Sequence, residues 1–225
     1  MTLLTTANPK LTKSSGRYLG AILHLSPHTI SGKNICPKAS NGCVAACLNS
    51  AGRGAMYPAQ NARLNRTLVL HSSPAVFNSL LVQEIVKFQR RALRKGLKPI
   101  IRLNGTSDLN WFKIIGQFPS IQFYDYTKRL GLLKLLKHYQ SQGQFLNYHL
   151  TFSRTESNGK DCRWAITNGY NVAVVFSGSL PKVYRGFPVL NGDQSDWRFL
   201  DKPGHVVGLI AKGRAKRDLS GFVVR

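Results

Sequence analysis

The chain has 225 residues, 43% of them hydrophobic, and sets 32 Lys and Arg against 9 Asp and Glu for a formal charge of +23. That length suits one large domain with its own core and excludes two full-sized ones. A charge this lopsided exceeds what solubility needs and favours a polyanion, so nucleic acid is expected as partner, DNA ahead of RNA, and an anionic membrane surface comes second. No run approaches the roughly 18 apolar residues of a membrane helix, and residues 1–13 lack an apolar core followed by a small-residue cleavage site. The expected location is therefore cytoplasmic, where clustered thiols more often bind metal than pair as disulfides.

Residues 1–16, rich in Thr, Ser and Lys, read as a flexible arm, and residues 17–225 as a single domain. Residues 18–25 (YLGAILHL) form an apolar run suited to a buried strand. After it comes a loop to about Pro58, broken by Pro27, Gly32, Pro37, Gly42, Gly52 and Gly54. A loop of that length in a compact domain is usually functional. It carries Cys36, Cys43 and Cys47 with gaps of six and three residues, in a polar, turn-forming segment that offers no apolar face to bury them. Three thiolates suit an iron–sulfur cluster, a 4Fe-4S cluster first, or zinc completed by His24, His28 or Cys162. The two histidines of His24-Leu-Ser-Pro-His28 are otherwise only a weak metal or nickase-like signal.

Residues 59–71, with Arg63 and Arg66, read as a helix. Ser73-Pro74 then opens an amphipathic helix through Phe77, Leu81, Ile85 and Phe88, with a basic end stopped by Gly96. From residue 98 strands and helices alternate. Strands are expected at 98–103, 121–126, 145–152, 171–176, 187–190 and 205–211, and helices at 110–118, 130–140 and 162–168. Such alternation implies parallel βαβ units with right-handed crossovers. The expected fold is a single-domain α/β parallel barrel or partial barrel with a long cysteine-bearing loop after the first strand.

Reactive residues of parallel barrels gather at the C-terminal ends of the strands. Asp108, Asp125, Glu156, Asp193 and Asp196 are five of only nine acids and all lie at or just beyond expected strand ends. Asp108, Asp125 and Asp193 are accordingly candidate catalytic groups, able to bind a divalent metal. Tyr124 and Tyr126, beside Lys128 and Arg129, are candidate nucleophiles for strand cleavage, with the alternative that they are ordinary strand aromatics. Candidate phosphate contacts are Arg53, Arg63, Arg66, Arg102, Lys128, Arg129, Arg154, Arg198, Lys212 and Arg214. Cys162 is a possible fourth cluster ligand; its absence from the ligand set would leave one iron open for chemistry.

The blocks NICPKASNGCVAACLNSAGRG, NARLNRT, RLNGTSDLNW, FYDYTKR, NYHLTFSRTESN, NVAVVF, NGDQSDWRFLD and VGLIAKGRAKRDLSGFVV resemble the phage "gene product 88" family over about residues 34–224. That resemblance implies a phage or prophage source and a host-cytoplasmic location. The three-cysteine loop after a first strand also resembles radical S-adenosylmethionine enzymes. In such enzymes Asn104, Gly105, Thr106 and Ser107, at the next strand's end, and Ser153, at a later one, would contact S-adenosylmethionine. Two classes of function follow as expectations. One is an iron–sulfur enzyme acting on nucleic acid by radical modification or strand cleavage. The other is a non-catalytic nucleic-acid binder whose metal staples the loop.

Overall fold

The computed structural model of the chain describes residues 1–6 and 16–225. Of the expected arm, residues 7–15 lie outside the described residues, and Leu4–Thr5 form a short strand, β1. β1 pairs antiparallel with β2 (Tyr18–Leu23), Leu4 opposite Leu23. Glu84 anchors this strand by accepting the N–H groups of Leu3 and Leu4 at 2.8 Å each.

The cysteine-bearing segment follows β2 and is not a bare loop. Helix α1 (Asn41–Ala45) and two 3-10 turns, Leu48–Ser50 and Gly52–Ala55, punctuate it. Helix α2 (Tyr57–Ser72) and α3 (Pro74–Arg94) come next, each opened by a proline in the first turn, where no intrahelical N–H is needed. The chain then alternates through β3 (Lys98–Arg102), the single-turn α4 (Phe112–Ile115), β4 (Gln122–Thr127), α5 (Leu130–Ser141), β5 (Tyr148–Ser153), α6 (Gly159–Thr167) and β6 (Val172–Phe176). β7 (Val183–Tyr184), β8 (Phe187–Asn191), β9 (Val206–Ile210) and β10 (Val223–Val224) complete it.

These strands form one ten-stranded sheet in the order β1-β2-β3-β4-β5-β6-β9-β8-β7. β2 to β6, β9 and β8 run parallel. β10 pairs with β6, Val223 opposite Val175, past the point where β5 ends its pairing at Ser153. The expected βαβ rhythm is present, and β2 to β6 stand side by side in chain order, as they would in a barrel. Closure does not follow. β1 and β7 are sheet edges joined to no further strand among the described residues, so the sheet is open.

Strand side chains alternate between two faces. Leu23, Ile101, Phe123, Leu150 and Phe152 pack against Phe77, Leu81 and Ile85 of α3, Leu133 and Leu136 of α5, and Ile166 of α6. Their neighbours one residue away, Ile22, Ile100 and Tyr124, face the other side and meet Trp197. Trp197 belongs to the connection between β8 and β9, which lies as a strap over this inner face with Tyr18 and Phe199. The helices and the strap thus leave the C-terminal strand edge as the place where loops converge.

Candidate functional site

The cysteine segment is fixed at that edge by contacts from β3 and β5. Cys36 sulfur accepts the His28 N–H at 3.4 Å and lies 3.7 Å from the Thr106 carbonyl, to which its thiol donates. The Asp108 N–H donates to the Ile35 carbonyl at 2.9 Å. Further along, Glu156 accepts the Ser40 hydroxyl at 2.6 Å and the Gly42 N–H at 2.9 Å, while Ser40 caps α1 by accepting the Cys43 N–H. A side chain at Gly42 would meet Ser220 Oγ at 2.1 Å and Phe222 Cβ at 2.7 Å, so only glycine lets the C-terminal segment close over α1.

Cys36, Cys43 and Cys47 are free and half-buried. Burial pushes the Cys36 thiol up to about 11, with Lys128 pulling it down and Cys47 and Asp108 raising it. Burial also raises Cys47, with Cys43 adding to the effect. Lys128 sits among them: burial opposes its charge, but Cys43, Asp108 and Cys36 outweigh that and raise its pKa. The three thiols therefore share one electrostatic neighbourhood around a lysine. They are not gathered into a finished cage: among the described residues no three or more His, Cys, Asp and Glu side chains stand together as a ready metal site. Cys162 stands apart, donating to Asn158 Oδ1 at 3.3 Å, its thiol raised to about 11 by burial, with Arg154, Asp161 and Arg185 as its charged neighbours.

Next to the cysteine segment lies a cleft of about 1130 Å³ between the ends of β4 and β5. Lys38, Lys128, Arg129 and Lys160 line it against the single acid Asp161. The first turns of α5 and α6 also line it, and neither helix has a side-chain cap at its N-terminus. Uncapped N–H groups at the positive end of a helix dipole, together with four cations, give the cleft a positive potential. Lys38 and Lys160 were not among the expected phosphate contacts. The signal that could have found Lys160 is the first turn of a helix following a parallel strand, whereas Lys38 reaches the cleft only through the folding of the cysteine segment.

The expected catalytic acids divide. Asp108 lies in the loop beyond β3, buried, accepting Thr127 Oγ1 at 2.7 Å and the Lys128 N–H at 2.9 Å; burial raises its pKa against these bonds. Asp125 is not at the strand end. It lies inside β4 on the helix-facing side, fully buried, accepting the Asn104 N–H at 2.6 Å and the Tyr148 hydroxyl at 3.1 Å. Burial holds its pKa up at about 7. Asp193 accepts the Ile210 N–H at 2.9 Å and pairs with the Lys212 ammonium, which ties the β8 end to the β9 end.

Neither tyrosine is presented as a nucleophile. Tyr124 is 1% exposed, donates to Asp196 Oδ2 at 2.7 Å under the strap, and burial raises its pKa well above 10. Tyr126 is raised to about 12, chiefly by burial, and lies under the Arg102 guanidinium at 4.7 Å.

The loop at the end of β3 spends its polar atoms internally. Asn104 Oδ1 accepts Ser107 Oγ at 2.8 Å, the Leu109 N–H at 2.9 Å and Trp111 Nε1 at 3.0 Å, and Thr106 donates to the Leu25 carbonyl. Gly105 is required by packing, because a Cβ there would lie 2.6 Å from the Leu23 carbonyl and from His24 Nδ1. Ser153 closes β5, half-buried.

The expected phosphate contacts also separate. Arg63 is buried on the Asn49 side chain and the Gly54 carbonyl, Arg66 holds the Thr2 and His24 carbonyls, and Arg154 donates at 2.9 Å to Gly221 and Phe222 carbonyls. Arg102 faces the strap, where it lies 4.0 Å from Asp196, and Arg198 is part of the strap itself, 3.1 Å from Asp201. Arg53, Lys212 and Arg214 are exposed. Gly213 brings their two segments together, approaching Ala51 so closely that a Cβ there would lie 2.8 Å from the alanine Cβ.

Among the described residues no helix is long and apolar enough to cross a membrane. No curated protein and no solved structure matches the chain. The sequence model of one family, described as gene product 88, matches residues 2–225. With that match covering nearly its whole length, the chain belongs to the gene product 88 family.

Proposed function

We propose that the protein acts on nucleic acid in the host cytoplasm, gripping the sugar–phosphate backbone in the cleft and holding an iron–sulfur cluster on Cys36, Cys43 and Cys47 beside it. One observation carries the reading: Lys128 belongs to both places, lining the cleft while lying among the three thiols. Thiolates suit iron–sulfur chemistry, and the His28 N–H on Cys36 sulfur is the kind of hydrogen bond that tunes such a ligand. The excess of cations over acids in the cleft suits a phosphate chain, and the net charge of +23 suits a polymer more than a single nucleotide.

A radical modification with S-adenosylmethionine as co-substrate is the preferred reaction class. The side-by-side order of β2 to β6, with the cysteine segment following β2, supports it. The cluster would supply the electron, and the protein's part is to seat the backbone and exclude water. Strand cleavage by Tyr124 or Tyr126 has less support, because both hydroxyls are held under the strap.

Fluorescence anisotropy with labelled single-stranded and duplex DNA and RNA tests the binding half. Affinity that falls steeply with salt, and falls less steeply in a Lys38→Gln, Arg129→Gln, Lys160→Gln variant, is the expected result. A salt response unchanged by those substitutions would refute the cleft as the backbone site. After anaerobic reduction, release of 5′-deoxyadenosine from S-adenosylmethionine tests the reaction class, and no release with any bound nucleic acid would count against it.

A further inference from the structure

The inner face of the sheet and the strap over it hold a set of buried polar atoms with no hydrogen-bond partner among the described residues: Arg102 Nε, Arg198 Nε, His149 Nε2, Thr151 Oγ1 and His24 Nδ1. Native proteins pair nearly all such groups, so several in one place point to a missing partner. They are one cluster. Tyr126 stands opposite Thr151 and Tyr124 opposite His149 in the β4–β5 register. Arg102 lies 4.7 Å from the Tyr126 ring centroid, and both Arg102 and Arg198 act on the Tyr126 hydroxyl. Arg198 is 1% exposed and Thr151 is completely buried.

The cluster is rich in donors. Guanidinium nitrogens can only donate; Asp201 Oδ2 meets Arg198 Nη1 as an ion pair at 3.1 Å and Asp196 Oδ2 lies 4.0 Å from Arg102 Nη1, which leaves Arg102 Nε and Arg198 Nε unanswered. The region is also electropositive. Burial, followed by Arg198, brings His149 down to about 4; burial, followed by Arg63 and Arg102, brings His24 down to about 3. Both imidazoles are therefore neutral near pH 7 and free to hydrogen-bond without adding charge.

We propose that the space between the inner sheet face and the strap binds a small oxyanion, a phosphate or carboxylate group, on Arg198, Arg102, Thr151 and His149. This site is distinct from the outer cleft: it lies on the opposite side of the sheet from α5 and α6 and shares no residue with it.

The test is thermal unfolding of the full chain in sodium phosphate and in sodium acetate, each against sodium chloride at matched ionic strength. A ligand that binds only the native state raises Tm with its concentration. At least one of the two anions is expected to do so, and which one identifies the group. Arg198→Lys and Thr151→Val are each expected to weaken the apparent Kd about tenfold or more, the loss of one hydrogen bond to a charged group. Arg129→Gln with Lys160→Gln leaves the inner response in place. Thr151→Val nearly keeps the side-chain shape, and its unfolding in chloride reports whether it folds. No gain with either anion would overturn the proposal and assign the unpaired groups to water. A gain lost in the Arg129→Gln, Lys160→Gln variant but kept in Thr151→Val and Arg198→Lys would overturn it in favour of the outer cleft.

Discussion

The Glu156 carboxylate accepts the Ser40 hydroxyl at 2.6 Å, so a residue just beyond β5 holds the helix that carries Cys43. Burial acts to raise the Glu156 pKa, but Ser40 and backbone N–H groups including that of Gly42 outweigh it and hold the acid below 4.5. The sign follows: a depressed carboxylate stabilises the fold above its unfolded pKa, and that contribution is lost as pH falls below about 4.5. Glu156→Gln should destabilise by about 1 kcal/mol near neutrality, a modest value because the carboxylate is partly solvated. Amide exchange measured across residues 40–47 should rise in the variant, and unchanged exchange there would show that the clamp is not holding α1.

Gly42 and Gly131 make an opposed pair. At Gly42 a methyl group would run into Ser220 and Phe222, whereas at Gly131 it would meet nothing within 4 Å. Gly42→Ala should cost about 1–3 kcal/mol by overpacking and loosen the C-terminal strand. Gly131→Ala, in the first turn of α5, should be neutral or stabilising by up to about 1 kcal/mol. Chemical denaturation of the two variants checks this, and equal effects would show that the C-terminal segment does not seat on α1.

Asp125 gives the fold a pH response of the opposite sign. Its folded pKa, raised by burial to about 7 from 3.8, means that the native state keeps a proton the unfolded chain has released. Stability from this group is full below about pH 4 and is lost as pH rises through 7. Asp125→Asn, which keeps the acceptor for the Asn104 N–H and cannot ionise, should flatten the stability profile between those limits. A wild-type profile already flat across that range would show that Asp125 is ionised in the fold.

In the cleft, each cation that touches a phosphate releases about one counterion when nucleic acid binds. Removing Lys38, Arg129 and Lys160 charges should therefore lower the slope of log Kd against log salt by about 3. Neutralising the exposed Lys212 and Arg214 tests whether the backbone also follows the surface beside the cysteine segment, and an added fall in slope would place it there.

Much of this was legible in the residues. The apolar runs separated by helical spacing gave β2 to β6, α3 and α5 close to their observed bounds, because each element is long enough to show its own period. β1, β7 and β10 are two residues each and carry no period at all. β10 is placed by pairing with β6, about fifty residues earlier in the chain, which no local pattern encodes. The same reason hid the Ser40–Glu156 clamp, whose partners are 116 residues apart. Asp125 was misplaced because a charged residue in an apolar strand reads as its end; here it satisfies the Asn104 backbone from within the sheet. The strap over Tyr124 and Tyr126 was equally invisible; Tyr124 donates to Asp196 and Tyr126 lies against Arg102, which suits the alternative of ordinary strand aromatics better than that of nucleophiles.

The measurement that bears most directly on the central proposal is metal and sulfide analysis of protein purified without oxygen, with Cys36→Ser, Cys43→Ser, Cys47→Ser and Cys162→Ser variants alongside. The account predicts iron and labile sulfide at about four each per chain, lost on replacing any of the first three cysteines and kept in Cys162→Ser. Zinc without labile sulfide, or a wild-type chain that takes up no metal while still binding nucleic acid, would contradict it.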